Sequence, residues 1–476
     1  MQGIRAKFLH EIQKKSASRQ PVKETSCSQP FLAVNGKPLP WKIETGQIPA
    51  GLTIRNPGPE TIKNLRISLD AKKISSSIEE IVQTAIAGKS DDKAKALGLW
   101  DFIVKNRTHD WPSHSGDEAF DPVKLVSVYG YGFCSHAAKA LTILANHAGL
   151  ETRIRHAKGQ HVVCEILIDG RWAMFDPDGE VVYRTKEGWI ASVDEIRADP
   201  ALIHTAQSPI YPQSRLKDIF GNHEFLIIPF EKFGGSPRHK ILPELRPGEE
   251  LVFSKEKRGL FFASRYLEVP KEYANGAWFY EPVIGTEETI PKGLTLTNLS
   301  MVGSSQGASL KVSNFNQEAI VQCFFDLPYP SLEAKVEVVF PPGMNSKNSL
   351  QVLASRDGKS WATAESSVLK GKAIYQFKDF PNRVGGRPDY KFWVKLVRPA
   401  NQEGEEFPKF QIGMVLQMAP RSLPIADTNG GNLRLNYETE SEQKIEVTFI
   451  NEISSTGVSL SDEKQGGLVK FEDVSH

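Results

Sequence analysis

Residue types that together form a nucleophilic catalytic site occur in order along one short stretch of the chain. Cys134 comes first, His161 follows 27 residues later, and two aspartates, Asp176 and Asp178, come last. In such a set a thiolate attacks a carbonyl carbon, the histidine carries the proton, and a carboxylate holds the imidazole in one tautomer. The stretch therefore predicts covalent catalysis through a thioester, although none of these residues would indicate it alone.

Cys134 is predicted to begin a helix. The apolar residues after it recur at helical spacing, and the pattern ends at Gly149, which is typical of a helix C-terminus. At a helix N-terminus the dipole and the free backbone N–H groups favour the thiolate, and the Cys134 N–H can help to form an oxyanion hole. Cys134 is therefore the candidate nucleophile.

A β-hairpin is predicted after His161. The Asp169-Gly170 pair in HVVCEILIDGRWAMFD is typical of a two-residue hairpin turn, which places Ile168 opposite Arg171. Because side chains alternate along a strand, this register divides the hairpin into two faces.

One face of the hairpin carries the polar candidates, since His161 shares it with Asp176 and Asp178. The other face is apolar, so we expect Cys164 on it to be a buried structural residue. The register places Asp178 directly opposite His161 and Asp176 diagonally, while Pro177 interrupts the ladder. Geometry alone leaves both aspartates open as the third member.

The stretch resembles the transglutaminase-like cysteine superfamily. The motifs of that family occur in order as G-x-C at 132–134, G-hydrophobic-x-x-R at 149–153, H-x-x-x-E at 161–165 and G-x-W-x-x-x-D-P at 170–177. The resemblance covers roughly residues 75–225. It implies a papain-like core with a catalytic triad.

In that triad the resemblance makes Cys134 the nucleophile, His161 the general base and acid, and Asp176 the residue that orients the imidazole. The sequence departs from the family at Val163, where an aromatic residue is frequent. A second oxyanion donor is not identified by the pattern, and the candidates are the aromatic residues Trp111, Tyr129 and Tyr131.

Three functions are compatible with these residues. The first is a cysteine peptidase or amidase whose substrate is a peptide or amide, with a glycan-linked substrate as an option. The second is a noncatalytic binding protein that keeps the fold as a scaffold, with β-sandwiches that bind glycan or protein, and the third is a protein cross-linking acyltransferase. Hydrolysis is favoured because acyl transfer requires a site that excludes water.

The predicted fold class is α+β, with four segments. Residues 1–29 are expected to be loosely ordered, 30–73 to form a small β segment, 74–233 to form the transglutaminase-like core, and 238–476 to form one or two β-sandwiches. Helices are predicted around residues 78–86 and 97–104 from their apolar spacing. The boundary before 238 follows a Gly-Gly-Ser-Pro sequence.

Composition excludes several classes of protein. The 58 basic and 57 acidic residues nearly cancel, so the chain has no net positive charge large enough to attract nucleic acid. The sequence contains no run of 18 apolar residues, so no membrane-spanning helix is predicted. Without a visible signal peptide the expected location is cytoplasmic, or the cell envelope if the chain lacks an export segment. The spacing of the four cysteines and eleven histidines matches no disulfide framework or metal motif, so we expect no metal and no cofactor.

Three further features are given structural interpretations. His136 lies two residues after the nucleophile, where a helix would direct it to the surface or to a supporting position. The stretch 355–361, SRDGKSW, weakly resembles a carbohydrate-associated turn but is expected to be a hairpin turn. Trp278 and its aromatic neighbours are expected in a β-sandwich core rather than in a sugar platform.

Overall fold

A computed structural model gives the fold of the chain. The structure describes residues 32–34, 41–42, 51–69, 72–73, 75–110, 118–230, 239–262, 269–284, 290–304, 307–342, 344, 349–369, 372–377, 388–425, 430–431, 433–440, 444–450 and 455–461. The predicted loose segment 1–29, the candidate Trp111 and the predicted boundary at 234–237 lie outside these residues.

Five α-helices are described, together with shorter helical turns. The α-helices are α1 (Ile78–Ala85), α2 (Asp92–Asn106), α3 (Cys134–His147), α4 (Val193–Ala198) and α5 (Gln213–Asn222). The other helical segments are Glu118–Phe120, a π-helix at Lys124–Tyr129, Pro200–Thr205 and Pro420–Ser422. Among the described residues no helix is long and apolar enough to cross a membrane.

The described strands outnumber the helices. They are β1 (Leu32–Val34), β2 (Trp41–Lys42), β3 (Gly51–Arg55), β4 (Lys63–Leu69), β5 (Lys72–Lys73), β6 (Thr108–His109), β7 (Tyr131–Gly132), β8 (Thr152–Ala157), β9 (His161–Ile168), β10 (Arg171–Phe175), β11 (Phe225–Pro229), β12 (Glu249–Ser254), β13 (Ala274–Tyr280), β14 (Leu294–Thr297), β15 (Leu299–Ser304), β16 (Gly307–Val312), β17 (Ala319–Val339), β18 (Gln351–Ser355), β19 (Ala362–Thr363), β20 (Glu365–Leu369), β21 (Lys372–Gln376), β22 (Asp389–Arg398), β23 (Lys409–Met418), β24 (Gly430–Gly431), β25 (Leu433–Glu438), β26 (Lys444–Ile450) and β27 (Ser455–Ser461).

The first two helices each begin after a capping side chain. The side chain of Ser77 accepts a hydrogen bond from the backbone of Glu80, and Asp91 accepts one from Ala94, which satisfies N–H groups that the first turn leaves free. The buried residues of α1 lie at helical spacing, and in α2 the buried apolar residues are Ala96, Leu99 and Ile103, with Leu97 and Trp100 partly buried against the same core.

An antiparallel sheet of four strands, ordered β10-β9-β8-β11, carries the predicted hairpin. The predicted register is correct, because Arg171 pairs with Ile168 and the ladder continues to Phe175 and Cys164. Beyond that pair the chain leaves the ladder, and Asp176 bridges to Val181 instead. The extrapolated position of Asp178 directly opposite His161 is therefore wrong.

Both faces of this small sheet are covered. Cys164 and Ile166 of β9 belong to the large core cluster that also contains Ala137 and Leu141 of α3. Val163 lies on the other face, in a second cluster with residues of α4 and α5. The face that carries His161 is thus as buried as the apolar face, because the chain after β10 folds back over it.

A sheet of thirteen strands dominates the rest of the chain. Strand β17 pairs with β22 along its first part and with β23 along its second part, and the register shifts between Asp326 and Ser331. The shift coincides with the prolines of the sequence Leu327-Pro-Tyr-Pro-Ser331, which cannot donate ladder hydrogen bonds. The strands of this region pair in antiparallel fashion within a large sheet, which agrees with the many strands predicted there.

N-terminal and C-terminal strands share sheets. Strand β3 lies between β12 and β26, and β4 pairs with β25. The segment predicted as a small β unit at 30–73 is thus hydrogen-bonded to the distant strands β12, β25 and β26. The division into four domains stays a prediction.

Candidate active site

Cys134 is the first residue of α3. Phe133 precedes the helix in an extended conformation, with φ −95° and ψ −178°, and has no side-chain cap. A residue at this first position has no intrahelical acceptor for its N–H, so the Cys134 N–H is available to a bound group. The Cys134 side chain is partly exposed, whereas the residues of α3 behind it are buried.

His161 lies close to Cys134 and is bonded to an aspartate. Its Nε2 atom is 2.7 Å from Oδ2 of Asp176, and a His161 ring nitrogen lies within 4.8 Å of the Cys134 sulfur. Burial by itself would lower the pKa of His161, but the Asp176 carboxylate and Cys134 outweigh it and hold this pKa well above its ordinary value. Because Asp176 occupies Nε2, Nδ1 is the ring nitrogen left for the cysteine.

Asp176 is held rigidly by the turn that follows it. Its Oδ1 atom accepts hydrogen bonds from the backbone N–H groups of Asp178, at 3.1 Å, and Gly179, at 2.8 Å. The indole N–H of Trp100 donates to the Asp176 backbone carbonyl oxygen at 3.2 Å. A Cβ atom at Gly179 would lie 2.5 Å from Oδ2 of Asp176, so only glycine leaves room for the carboxylate here.

Asp178 has a different set of partners. Its Oδ1 atom lies 2.9 Å from Nδ1 of His109 and 2.9 Å from a guanidinium nitrogen of Arg107, and Tyr211 donates its hydroxyl proton to Oδ2 at 2.5 Å. Burial alone would raise the pKa of Asp178, but these partners hold it below its ordinary value. The two aspartates that the hairpin register leaves open therefore have separate partners, and Asp176 is the one bonded to His161.

Arg107 joins the two halves of the site. This fully buried residue donates to the Gly132 carbonyl oxygen at 2.7 Å and to the Pro177 carbonyl oxygen at 2.8 Å, in addition to its ion pair with Asp178. Gly132 precedes the nucleophile, and Pro177 follows the aspartate that binds His161. The guanidinium thus fixes the distance between the loop before α3 and the turn after β10.

Aromatic rings line the site between the two imidazoles. The ring of Tyr211 makes edge contacts with His161, at 5.3 Å between centroids, and with His109, at 5.5 Å. The His109 ring also lies 5.7 Å from that of Phe133. Sequence reasoning missed Arg107, His109 and Tyr211, because none of them belongs to a motif. The one available signal was the run of polar residues at 106–110, directly after α2.

Tyr129 and Tyr131, two candidates for the second oxyanion donor, direct their hydroxyl groups away from the site. Both residues are fully buried, and the Tyr129 hydroxyl donates to Glu118 at 3.3 Å. The Tyr131 hydroxyl accepts from Gln417 at 2.8 Å and donates to the carbonyl oxygen of Phe262 at 3.4 Å. These bonds connect the strand before Cys134 to the large sheet, so they support the position of the site without facing it.

Two positions are predicted for His136, and the one on the surface is wrong. The side chain is buried, stacks on Phe120 at 4.7 Å and accepts the N–H of Phe133 through Nδ1 at 3.3 Å. Burial lowers the pKa of His136 to about 3, so the ring is neutral and supports the first turn of α3.

Glu165 fastens the sheet to α4. Its carboxylate lies 2.7 Å from Arg153 and 3.2 Å from Arg155, and it accepts the N–H of Val193 at 2.8 Å. Arg155 in turn pairs with Asp194 on the same helix. The last position of the H-x-x-x-E motif is therefore structural in this chain.

Two features of the large sheet have the structures expected of them. Asp357 accepts the N–H groups of Lys359 and Ser360 in a turn between β18 and β19. Trp278 is 1% exposed and donates its indole N–H to Glu249 at 3.1 Å. Trp278 therefore has no exposed face for a sugar.

Residues 79–177 match the family model of the Transglutaminase-like superfamily. The resemblance predicted from the motifs is therefore confirmed, and the match ends at Pro177, directly after the aspartate bonded to His161. No curated protein matches the chain.

Solved structures with similar regions include three at 10 to 12% identity. A candidate protease from Parabacteroides distasonis ATCC 8503 is 11% identical over 71% of this chain and 55% of its own length, with a TM-score of 0.17. The major pilin subunit of Bacillus cereus is 12% identical over 40% and 59%, with a TM-score of 0.13. An α-L-rhamnosidase from Dictyoglumus thermophilum is 10% identical over 44% and 25%, with a TM-score of 0.15. The chain spans only part of each, and these TM-scores carry no argument about function.

Proposed function

We propose that the transglutaminase-like domain is a cysteine hydrolase that cleaves a peptide or amide bond through a thioester. In this proposal Cys134 is the nucleophile, His161 the general base and acid, and Asp176 the residue that orients the imidazole. The observation that carries it is the 2.7 Å contact of Asp176 with Nε2 of His161, which leaves Nδ1 for the partly exposed cysteine at a helix N-terminus.

The reaction follows from these positions. His161 accepts the thiol proton of Cys134, and the thiolate attacks the carbonyl carbon of the substrate. The oxyanion that forms is stabilised by the Cys134 N–H, and its collapse releases an amine that takes the proton from His161. His161 then removes a proton from water, which attacks the thioester, releases the acid and restores the thiol.

The hydrogen bonds of Asp176 support its role as a fixed orienting group. Both of its carboxylate oxygens are engaged, one by His161 and the other by two backbone N–H groups. A carboxylate fixed in this way stabilises the imidazolium that forms when Cys134 is deprotonated.

We also propose a papain-like arrangement for the core and a sandwich arrangement for the strands after residue 238. The core proposal is supported by α3, which packs against β9 with the cysteine and the histidine at adjacent ends. The sandwich proposal is supported by β17, because strands that pass from one sheet to another do so through bends and register shifts. The β region would bind or position the substrate.

Activity of the full chain tests the proposal. Wild type, Cys134→Ala and the matched control Cys323→Ala would be assayed against peptide and amide libraries, and for incorporation of a fluorescent amine into glutamine substrates. Cys323 is buried in β17, far along the chain from the site. We expect hydrolysis in wild type and in the control, and none in Cys134→Ala. Full hydrolysis by Cys134→Ala, or amine incorporation without hydrolysis, would overturn the proposal.

A further inference from the structure

We propose that the same cleft binds a zinc ion, held by Cys134, His161 and Asp178, and that this ion reversibly blocks the nucleophile. The sequence predicts no metal cofactor, and the ion proposed here is an inhibitor rather than a cofactor. Its binding is independent of the proposed hydrolysis, whereas its inhibitory effect depends on it.

The donor atoms are already gathered. The Cys134 sulfur, a His161 ring nitrogen and an Asp178 carboxylate oxygen all lie within 4.8 Å of one another. Bonds of about 2.0–2.3 Å to a tetrahedral zinc ion would place such donors about 3.3–3.8 Å apart. Side-chain movements of about an ångström would bring the donors to these distances. A thiolate and an imidazole bind zinc in preference to magnesium or calcium.

The partners of the histidine suit a metal ligand. Histidines that bind metals usually donate their other ring N–H to a carboxylate, which fixes the tautomer and makes the ligand nitrogen more basic. His161 has this arrangement, because Asp176 lies 2.7 Å from Nε2 and leaves Nδ1 as the ligand atom.

Asp178 has room for the ion. A carboxylate offers about four acceptor positions. His109 and Arg107 occupy Oδ1, and Tyr211 occupies one position on Oδ2. Among the described residues this leaves one acceptor position on Oδ2. The three donors already hold the Asp178 carboxylate in place, so the side chain loses little conformational freedom when it binds an ion.

The local charge favours a divalent cation. The carboxylates of Asp176 and Asp178 both lie close to His161, and Arg107 pairs with Asp178. Asp176, Asp178 and Arg107 are fully buried. A zinc ion would bring positive charge to these buried carboxylates, where water screens charges least. It would enter through Cys134, which is the exposed member of the site.

Cobalt and zinc binding to the full chain, freed of metal by a chelator, test this proposal. Co²⁺ reports the ligands, because a cobalt–thiolate bond gives a charge-transfer band in the near ultraviolet. We expect one ion per chain with this band in wild type and in Cys323→Ala, and no band in Cys134→Ala. Asp176→Asn should bind about 10- to 100-fold more weakly, and Asp178→Asn more weakly still.

Zinc protection of the wild-type thiol gives a readout that needs no variant. At a zinc concentration of about ten times Kd, alkylation of Cys134 should slow about tenfold. The absence of the cobalt band, its persistence in Cys134→Ala, or wild-type affinity in a folded Asp178→Asn would each overturn the site. If the chain binds zinc as expected but hydrolyses no substrate, the metal site stands and the proposed function fails.

Discussion

His161 and Asp176 meet at the end of the hairpin, with Nε2 and Oδ2 2.7 Å apart and both side chains buried. The other oxygen of Asp176 accepts two backbone N–H groups, from Asp178 and Gly179. Among the residues that the structure describes, the hydrogen-bond partners of this carboxylate are therefore all donors. This requirement separates Asp176 from an asparagine, which has a single acceptor oxygen.

Asp176→Asn should greatly reduce hydrolysis for this reason. The NH₂ group of the asparagine must face either the backbone N–H groups or the ring N–H of His161. In both orientations one donor group lies against another donor, and a hydrogen bond is lost. We expect kcat/KM to fall about 100- to 10,000-fold, as for loss of a general acid-base element. Asp178→Asn is the matched isosteric control and should lose less. A larger loss of kcat/KM in Asp178→Asn than in Asp176→Asn would show that Asp178, and not Asp176, orients the imidazole.

Thiol labelling should be selective. Burial raises the pKa of Cys164 to about 12 and that of Cys323 to about 12, whereas Cys134 is partly exposed at the start of α3. Iodoacetamide at neutral pH should therefore modify Cys134 rapidly and leave Cys164 and Cys323 intact in the folded chain. Peptide mass spectrometry locates the adducts, and denatured protein, which should label at all four cysteines of the chain, is the control. Slow labelling of Cys134 would favour a noncatalytic scaffold.

Stability should fall with rising pH because of His161. Its pKa is raised in the folded chain above an unfolded value of about 6.5, so the folded state binds the proton more tightly. The stabilisation is complete below about pH 6.5 and is lost as pH rises through the folded pKa. Urea unfolding of wild type and His161→Gln across this range measures the effect. Identical pH slopes for the two proteins would contradict it.

Tyr211→Phe should destabilise the chain. The hydroxyl donates to the charged Asp178 at 2.5 Å, and a hydrogen bond to a charged group contributes about 1.5–3 kcal/mol. The free energy of unfolding should fall by about that amount. Tyr183→Phe is the control, because the buried Tyr183 hydroxyl has no hydrogen-bond partner among the described residues and its removal should cost nothing. Equal losses in the two variants would show that packing, rather than this hydrogen bond, is responsible.

Tyr131→Phe should weaken the attachment of the site to the large sheet. Its hydroxyl accepts from Gln417, and removing it leaves a buried amide donor without a partner, which costs about 1–3 kcal/mol of unfolding free energy. Denaturant unfolding measures the loss, again against Tyr183→Phe. A variant as stable as wild type would mean that this contact does not stabilise the chain.

The sequence by itself determined the local elements that carry the candidate residues. Helical spacing placed Cys134 at the start of α3, and the Asp169-Gly170 turn fixed the hairpin register and identified Cys164 as a buried residue. These inferences succeed because spacing and turn chemistry depend on neighbours in sequence. The motifs also indicated the superfamily whose family model matches residues 79–177.

Only the tertiary structure decided the partners of the two aspartates. Register extrapolation failed after Phe175, because Asp176 leaves the ladder to bridge Val181, and strand periodicity no longer applies there. His109 reaches Asp178 across 69 positions of sequence, and Tyr211 reaches it across 33. Such contacts are set by how helices and sheets pack together, so no local pattern records them.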